Sequence, residues 1–186
     1  MARRVLRLVG WRLVFDGLPG PQGVLVVYPH TSNWDFVVGV LAKWAIGIKV
    51  TFWGKDSLFR VPLLGRWLRW LGGLPVDRSS AGGIVGPMAR ELQTAREQGR
   101  FMWLALSPEG TRRVTKAWRS GFYHVARAAG VPVGLVFLDY GKQEVGVEHF
   151  MLLSGDIDAD MAQIAHHLGA RKGRHPDLAA PIRLKP

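Results

Sequence analysis

The sequence predicts one α/β domain, a mostly parallel mixed sheet flanked by helices. Three observations carry that expectation. Short apolar runs of strand length, such as residues 24–28, 101–106 and 133–138, alternate with longer stretches whose apolar residues recur every three or four positions. Glycine or proline punctuates most junctions between them. A chain of 186 residues, 48% of them hydrophobic, is long enough for one sizeable core and too apolar to be disordered.

Taken in order, residues 3–15 alternate Arg with Val, Leu, Trp and Phe, and fit an amphipathic helix or an edge strand equally. Residues 17–23 are a Gly/Pro loop. Residues 24–28 form a buried strand that Pro29 stops, and a polar turn follows: His30-Thr31-Ser32-Asn33-Trp34-Asp35. A helix over residues 33–46 comes next, so His30 is expected at the carboxyl edge of a sheet, where open α/β sheets carry their sites. Residues 49–53 are another strand. Over residues 55–73, Leu64, Trp67, Leu68 and Leu71 have helical spacing, and Gly72-Gly73 ends the helix. Its interleaved Arg60, Arg66 and Arg69 suit a membrane interface or a solvated basic side.

Residues 74–78 are a short extended piece, and residues 84–98 a helix stopped by Gly99. The strand at 101–106 leads into a second polar turn, Ser107-Pro108-Glu109-Gly110-Thr111-Arg112. A helix at 121–129, ended by Gly130, and a strand at 133–138 follow. Residues 143–153 alternate loosely and predict an antiparallel edge strand. A helix over 158–168 closes a domain of residues 1–168, and residues 169–186 read as a basic tail.

Composition narrows the chemistry. The chain has no cysteine, which excludes disulfide scaffolds, cysteine zinc sites and cysteine nucleophiles. A net charge of +11 with eight tryptophans predicts an anionic partner: nucleic acid, an anionic membrane surface or an acidic protein. The basic, apolar N-terminus lacks an unbroken signal-peptide core, and no window reaches about 18 consecutive apolar residues. The expectation is a soluble or membrane-surface protein. No Gly-x-Ser-x-Gly elbow or P-loop is present, and Asp156-x-Asp158-x-Asp160 lacks the glycine and glutamate of a calcium loop, so it reads as helix capping. His124, His149, His166, His167 and His175 have no chelating pattern, and no metal is expected.

Single motifs are ambiguous. His30 and Asp35 are spaced as a base and its orienting acid, yet Ser32-x-x-Asp35 before an apolar run is also a capping box. Pro108-x-Gly110 is ordinary turn chemistry, and Arg78 alone is a charge at a strand end. In sequence order they become a pattern: His30 to Asp35, then Gly73-Leu74-Pro75-Val76-Asp77-Arg78, then Pro108-Glu109-Gly110-Thr111-Arg112 unbroken, then Val131-Pro132-Val133. With these four blocks the chain resembles the glycerolipid (lysophospholipid) acyltransferase family, whose best-known members are the 1-acylglycerol-phosphate acyltransferases. Pro29, Ser107 and Gly134-Leu135 depart from the family's usual residues, and little chain precedes His30. The expectation from these departures is a short branch of the family with a different acceptor.

The resemblance implies acyl transfer from acyl-CoA or acyl carrier protein to a hydroxyl of a lysophospholipid such as lysophosphatidic acid. It implies His30 as general base, Asp35 as its orienting acid, and Arg78, Glu109, Gly110, Thr111 and Arg112 as the acceptor site, with the two arginines holding a phosphate. No cofactor beyond the acyl donor is implied. Expected partners are the lysophospholipid, the acyl donor and, peripherally, the anionic inner face of the cell membrane, rather than nucleic acid. A non-phosphorylated aminolipid acceptor is the alternative. A non-catalytic lipid- or nucleic-acid-binding module is the rival class, and it leaves the ordered blocks unexplained.

Overall fold

The computed structural model describes residues 1–76 and 83–185. Its centre is β2 (Gln22–Tyr28), in which Val24, Val26 and Tyr28 enter one hydrophobic cluster while Leu25 and Val27 enter others on the opposite face. That alternation is the period-two pattern of a strand covered on both sides. Along the chain lie α1 (Ala2–Leu8), β1 (Arg12–Val14), β2, α2 (Trp34–Ile46), β3 (Val50–Lys55), α3 (Asp56–Phe59), α4 (Pro62–Trp70) and β4 (Gly73–Val76). Then come α5 (Val85–Glu97), β5 (Met102–Leu106), α6 (Gly121–Ala129), β6 (Val133–Asp139), β7 (Glu144–Met151) and α7 (Ile157–Leu168).

The strands form one seven-stranded sheet in the order β1-β7-β6-β2-β5-β3-β4. Only β6 and β7 pair antiparallel; the other neighbours are parallel. The expected α/β architecture is therefore the observed one. On one face α5, α6 and α7 bury Leu92, Phe122 and Ile164 against Val24, Leu104 and Leu135, and full burial of each such side chain stabilises by about 1.5–3 kcal/mol. On the other face α1 and α2 bring Leu6, Val38 and Ala42 onto Leu138 and Val145. No helix among the described residues is long and apolar enough to cross a membrane.

Four stretches differ from the sequence expectation. Residues 3–15 hold both candidates in turn, α1 and then β1. The helix expected over 55–73 is two helices, because Pro62 opens α4 at the position where a missing N–H costs nothing. β7 is antiparallel as expected but is not at the edge, since β1 pairs along it. Gly146 allows that docking; a Cβ there would collide with the Val14 carbonyl. Residues 169–185, read as a tail, lie along the carboxyl ends of the strands. Tyr140 N–H donates to the Lys172 carbonyl (2.8 Å), Trp118 N–H to Arg183 (2.8 Å), and Ala180 is buried.

The capping reading of residues 156–160 holds for Asp156, which accepts from Ala159 N–H at 3.0 Å. Asp160 does more. Buried, it accepts from the Ser154 N–H (3.0 Å) and hydroxyl (2.8 Å), the Gly155 N–H (3.2 Å) and the Tyr123 hydroxyl (2.7 Å), tying the turn after β7 to α6. Asp160→Ala strands these donors and is expected to cost about 3 kcal/mol in urea unfolding, whereas Asp158→Ala, on the exposed side of α7, should cost well under 1 kcal/mol.

Candidate active site

The turn after β2 brings His30 and Asp35 together. His30 Nδ1 lies 3.1 Å from Asp35 Oδ2, with the Asp35 side chain 1% exposed and the His30 side chain 22% exposed. The same Oδ2 accepts from Ser32 N–H at 2.8 Å, while the Ser32 hydroxyl accepts from Trp34 N–H at 3.2 Å. Half of a capping box is thus present, and the same carboxylate oxygen also meets the His30 ring. Asp35 Oδ1 accepts from the Tyr140 hydroxyl at 2.7 Å. Burial works to raise the Asp35 pKa, but the hydrogen bonds from His30, Tyr140 and Ser32 outweigh it and hold the carboxyl below its ordinary value. With Nδ1 turned to the carboxylate, His30 Nε2 has no hydrogen-bond partner among the described residues.

Both neighbours of β2 reach into this turn from their own carboxyl ends. From beyond β5, Glu109 Oε2 accepts from His30 N–H at 2.6 Å and Oε1 from Ala180 N–H at 3.0 Å. Burial pushes the Glu109 pKa up, and those two backbone bonds oppose the rise. Glu109 is thus buried against backbone, where it fixes the main chain of the histidine. From beyond β6 comes Tyr140, which the sequence reading missed. The signal for it was slight, a phenol directly following a strand. Gly110 has φ +66°, and a Cβ there would sit 2.7 Å from Arg119 Nε, so the Arg119 side chain packs on this turn.

A cavity of about 1340 Å³ opens at His30 and Asp35. Leu25, Val27, Val40, Ile46, Ile48 and Val136 line its apolar part between α2 and the sheet. Gly110, Thr111 and Arg112 also line it, as do Arg119 and Lys185, two cations that sequence reasoning had no motif to find. Arg78 lies outside the described residues. Among the described residues no group of His, Asp and Glu could hold a metal ion.

The His30–Asp35 pair thus lies at the carboxyl edge of a parallel sheet, beside a largely apolar cavity, where open α/β sheets carry their sites. A family model described as Acyltransferase matches residues 16–136, well over half of the chain, and the protein belongs to that family, the glycerolipid acyltransferases. Neither a curated protein nor a solved structure matches it.

The Asp35 geometry sets a pH dependence. A carboxyl held below its ordinary value near 3.8 contributes stability that is complete above that value and is lost as pH falls through the lower folded-state value. Asp35→Asn should therefore melt below the wild type at pH 7, and the two melting curves should converge below about pH 4.

Proposed function

We propose that this acyltransferase moves a fatty acyl group from acyl-CoA or acyl carrier protein to a hydroxyl of a lysophospholipid such as lysophosphatidic acid. The observation that carries this reading is the 3.1 Å His30–Asp35 pair, whose second ring nitrogen has no hydrogen-bond partner among the described residues and lies beside the apolar cavity. His30 Nε2 takes the acceptor's proton as the hydroxyl oxygen attacks the thioester carbonyl, and Asp35 stabilises the imidazolium. Collapse of the tetrahedral adduct expels the thiolate, which takes that proton back, leaving an ester and a free thiol. The acceptor is itself the nucleophile, so no serine or cysteine is needed. The apolar cavity suits an acyl chain, since each buried methylene contributes about 0.8 kcal/mol. Arg78 and Arg112 hold the acceptor's phosphate and Thr111 positions its polar end; Thr111 and Arg112 line the cavity, where Arg119 and Lys185 add positive charge.

The acceptor is met at the anionic inner face of the cell membrane. Leu63, Trp67 and Trp70 recur along α4 at 80%, 47% and 72% exposure, and Arg60, Arg66 and Arg69 are exposed among them. Trp70 packs on the exposed Trp44 of α2, with ring centroids 6.1 Å apart, and Trp67 also lines the cavity. Aromatic and basic side chains on one short helix favour a lipid interface, each cation contributing about 1 kcal/mol near anionic lipid. The chain should co-sediment with phosphatidylglycerol vesicles at low salt, and Trp67→Ser with Trp70→Ser should weaken this severalfold; no sedimentation of the parent chain would remove the membrane from the account.

The enzymatic test is direct. His30→Ala should lower acyl transfer from a labelled acyl thioester to lysophosphatidic acid by about a hundredfold or more, with the fold retained. Activity that survives the change would refute His30 as the base.

A further inference from the structure

Asp35 presents two carboxylate oxygens in a pocket where its side chain is 1% exposed. Oδ2 is shared by Ser32 N–H and the His30 ring, which leaves Oδ1 to be satisfied from outside the turn. A buried carboxylate oxygen without a donor is unfavourable, and rotation of the group would turn the occupied oxygen away from His30. The donor that the fold supplies is the Tyr140 hydroxyl, at 2.7 Å.

Strand order explains why Tyr140 is there. β6 pairs directly with β2, with Phe137 opposite Tyr28, so the residue that follows β6 emerges beside the turn that follows β2. The ring is held from two further sides. Its backbone N–H donates to the Lys172 carbonyl at 2.8 Å, and Trp11 meets it edge-on at 4.9 Å and 89°. Trp11 in turn packs with Leu6, Val38, Ala42, Leu138 and Val145. The phenol is therefore placed by three separate stretches of chain. Tyr140 also lies beyond residues 16–136, the stretch matched by the family model.

We propose that Tyr140 is a positioning residue for the acyl transfer: its hydroxyl occupies Asp35 Oδ1, so that Oδ2 stays aligned on His30 Nδ1 and the carboxylate stays charged as the imidazolium forms. The inference rests on the proposed role of the His30–Asp35 pair. Burial and the adjacent Asp35 raise the Tyr140 pKa, which keeps the phenol a donor across the working range of pH. Tyr140 packs behind Ala42, Leu138 and Val145 and does not itself line the cavity, so it should act on the chemical step and leave substrate binding alone.

The experiment is a double-mutant cycle in steady-state kinetics with acyl-CoA and lysophosphatidic acid. Tyr140→Phe removes one oxygen and keeps the ring against Trp11. It should fold, lower kcat about tenfold, as expected for a lost hydrogen bond to a charged group, and leave both KM values unchanged. In the Asp35→Asn background the same change should cost nothing further, because the charge it supports is already gone. The proposal is overturned if Tyr140→Phe keeps full kcat, if it fails to fold, if its loss appears in KM, or if the two losses multiply. Should Asp35→Asn itself be fully active, the acyl-transfer role of the pair has failed; should Asp35→Asn be inactive and Tyr140→Phe intact, only the role of Tyr140 has.

Discussion

A buried carboxylate organises this protein. Asp35 can stay ionised at 1% side-chain exposure only because donors meet both of its oxygens: a backbone N–H from its own turn, the ring of His30 and the phenol of Tyr140. Each donor restricts the others. The Ser32 bond shapes the entry to α2, the His30 contact fixes the orientation of the ring, and the Tyr140 bond ties the turn to the neighbouring strand. If one is lost, the carboxylate has reason to turn or to take up a proton.

The sheet order makes this arrangement possible. β2 is the fourth of seven strands, with β5 on one side and β6 on the other, all three parallel. Their carboxyl ends consequently lie side by side, and each flanking strand contributes one side chain to the central turn. Glu109 takes the backbone of His30, and Tyr140 takes the side chain of Asp35. The segment after α7 completes the frame, because Ala180 donates to Glu109 and accepts from the Tyr28 hydroxyl at 3.1 Å. The position of His30 is thus determined by long-range contacts, while its identity is local.

This division explains what could be read from the sequence. Most strand and helix periods were plain, and His30, Asp35 and the turn at residues 108–112 stood out once taken in sequence order, because each depends on neighbouring residues. Tyr140 was not legible, since an aromatic residue after a strand has no distinguishing spacing and its partner is 105 positions away. Nor was the interior position of β7, which depends on a three-residue strand from the other end of the chain docking on Gly146. The packing of residues 169–185 was hidden for the same reason: its backbone bonds reach Glu109, Trp118 and Tyr140, while its composition reads only as basic and proline-containing. Glu109 was found as part of a motif, but its contacts are with the backbone of His30 and Ala180, which no motif could have indicated.

The central claim is that Asp35 holds the neutral His30 ring with its proton on Nδ1, leaving Nε2 free to take a proton from an acceptor. In protein labelled with 15N-histidine, the ring nitrogens of His30, assigned by difference from a His30→Gln chain, report that tautomer directly. At a pH where the ring is neutral, the expected result is a protonated Nδ1 and a bare Nε2. A neutral ring carrying its proton on Nε2 would contradict it, because the nitrogen assigned the role of base would already be occupied.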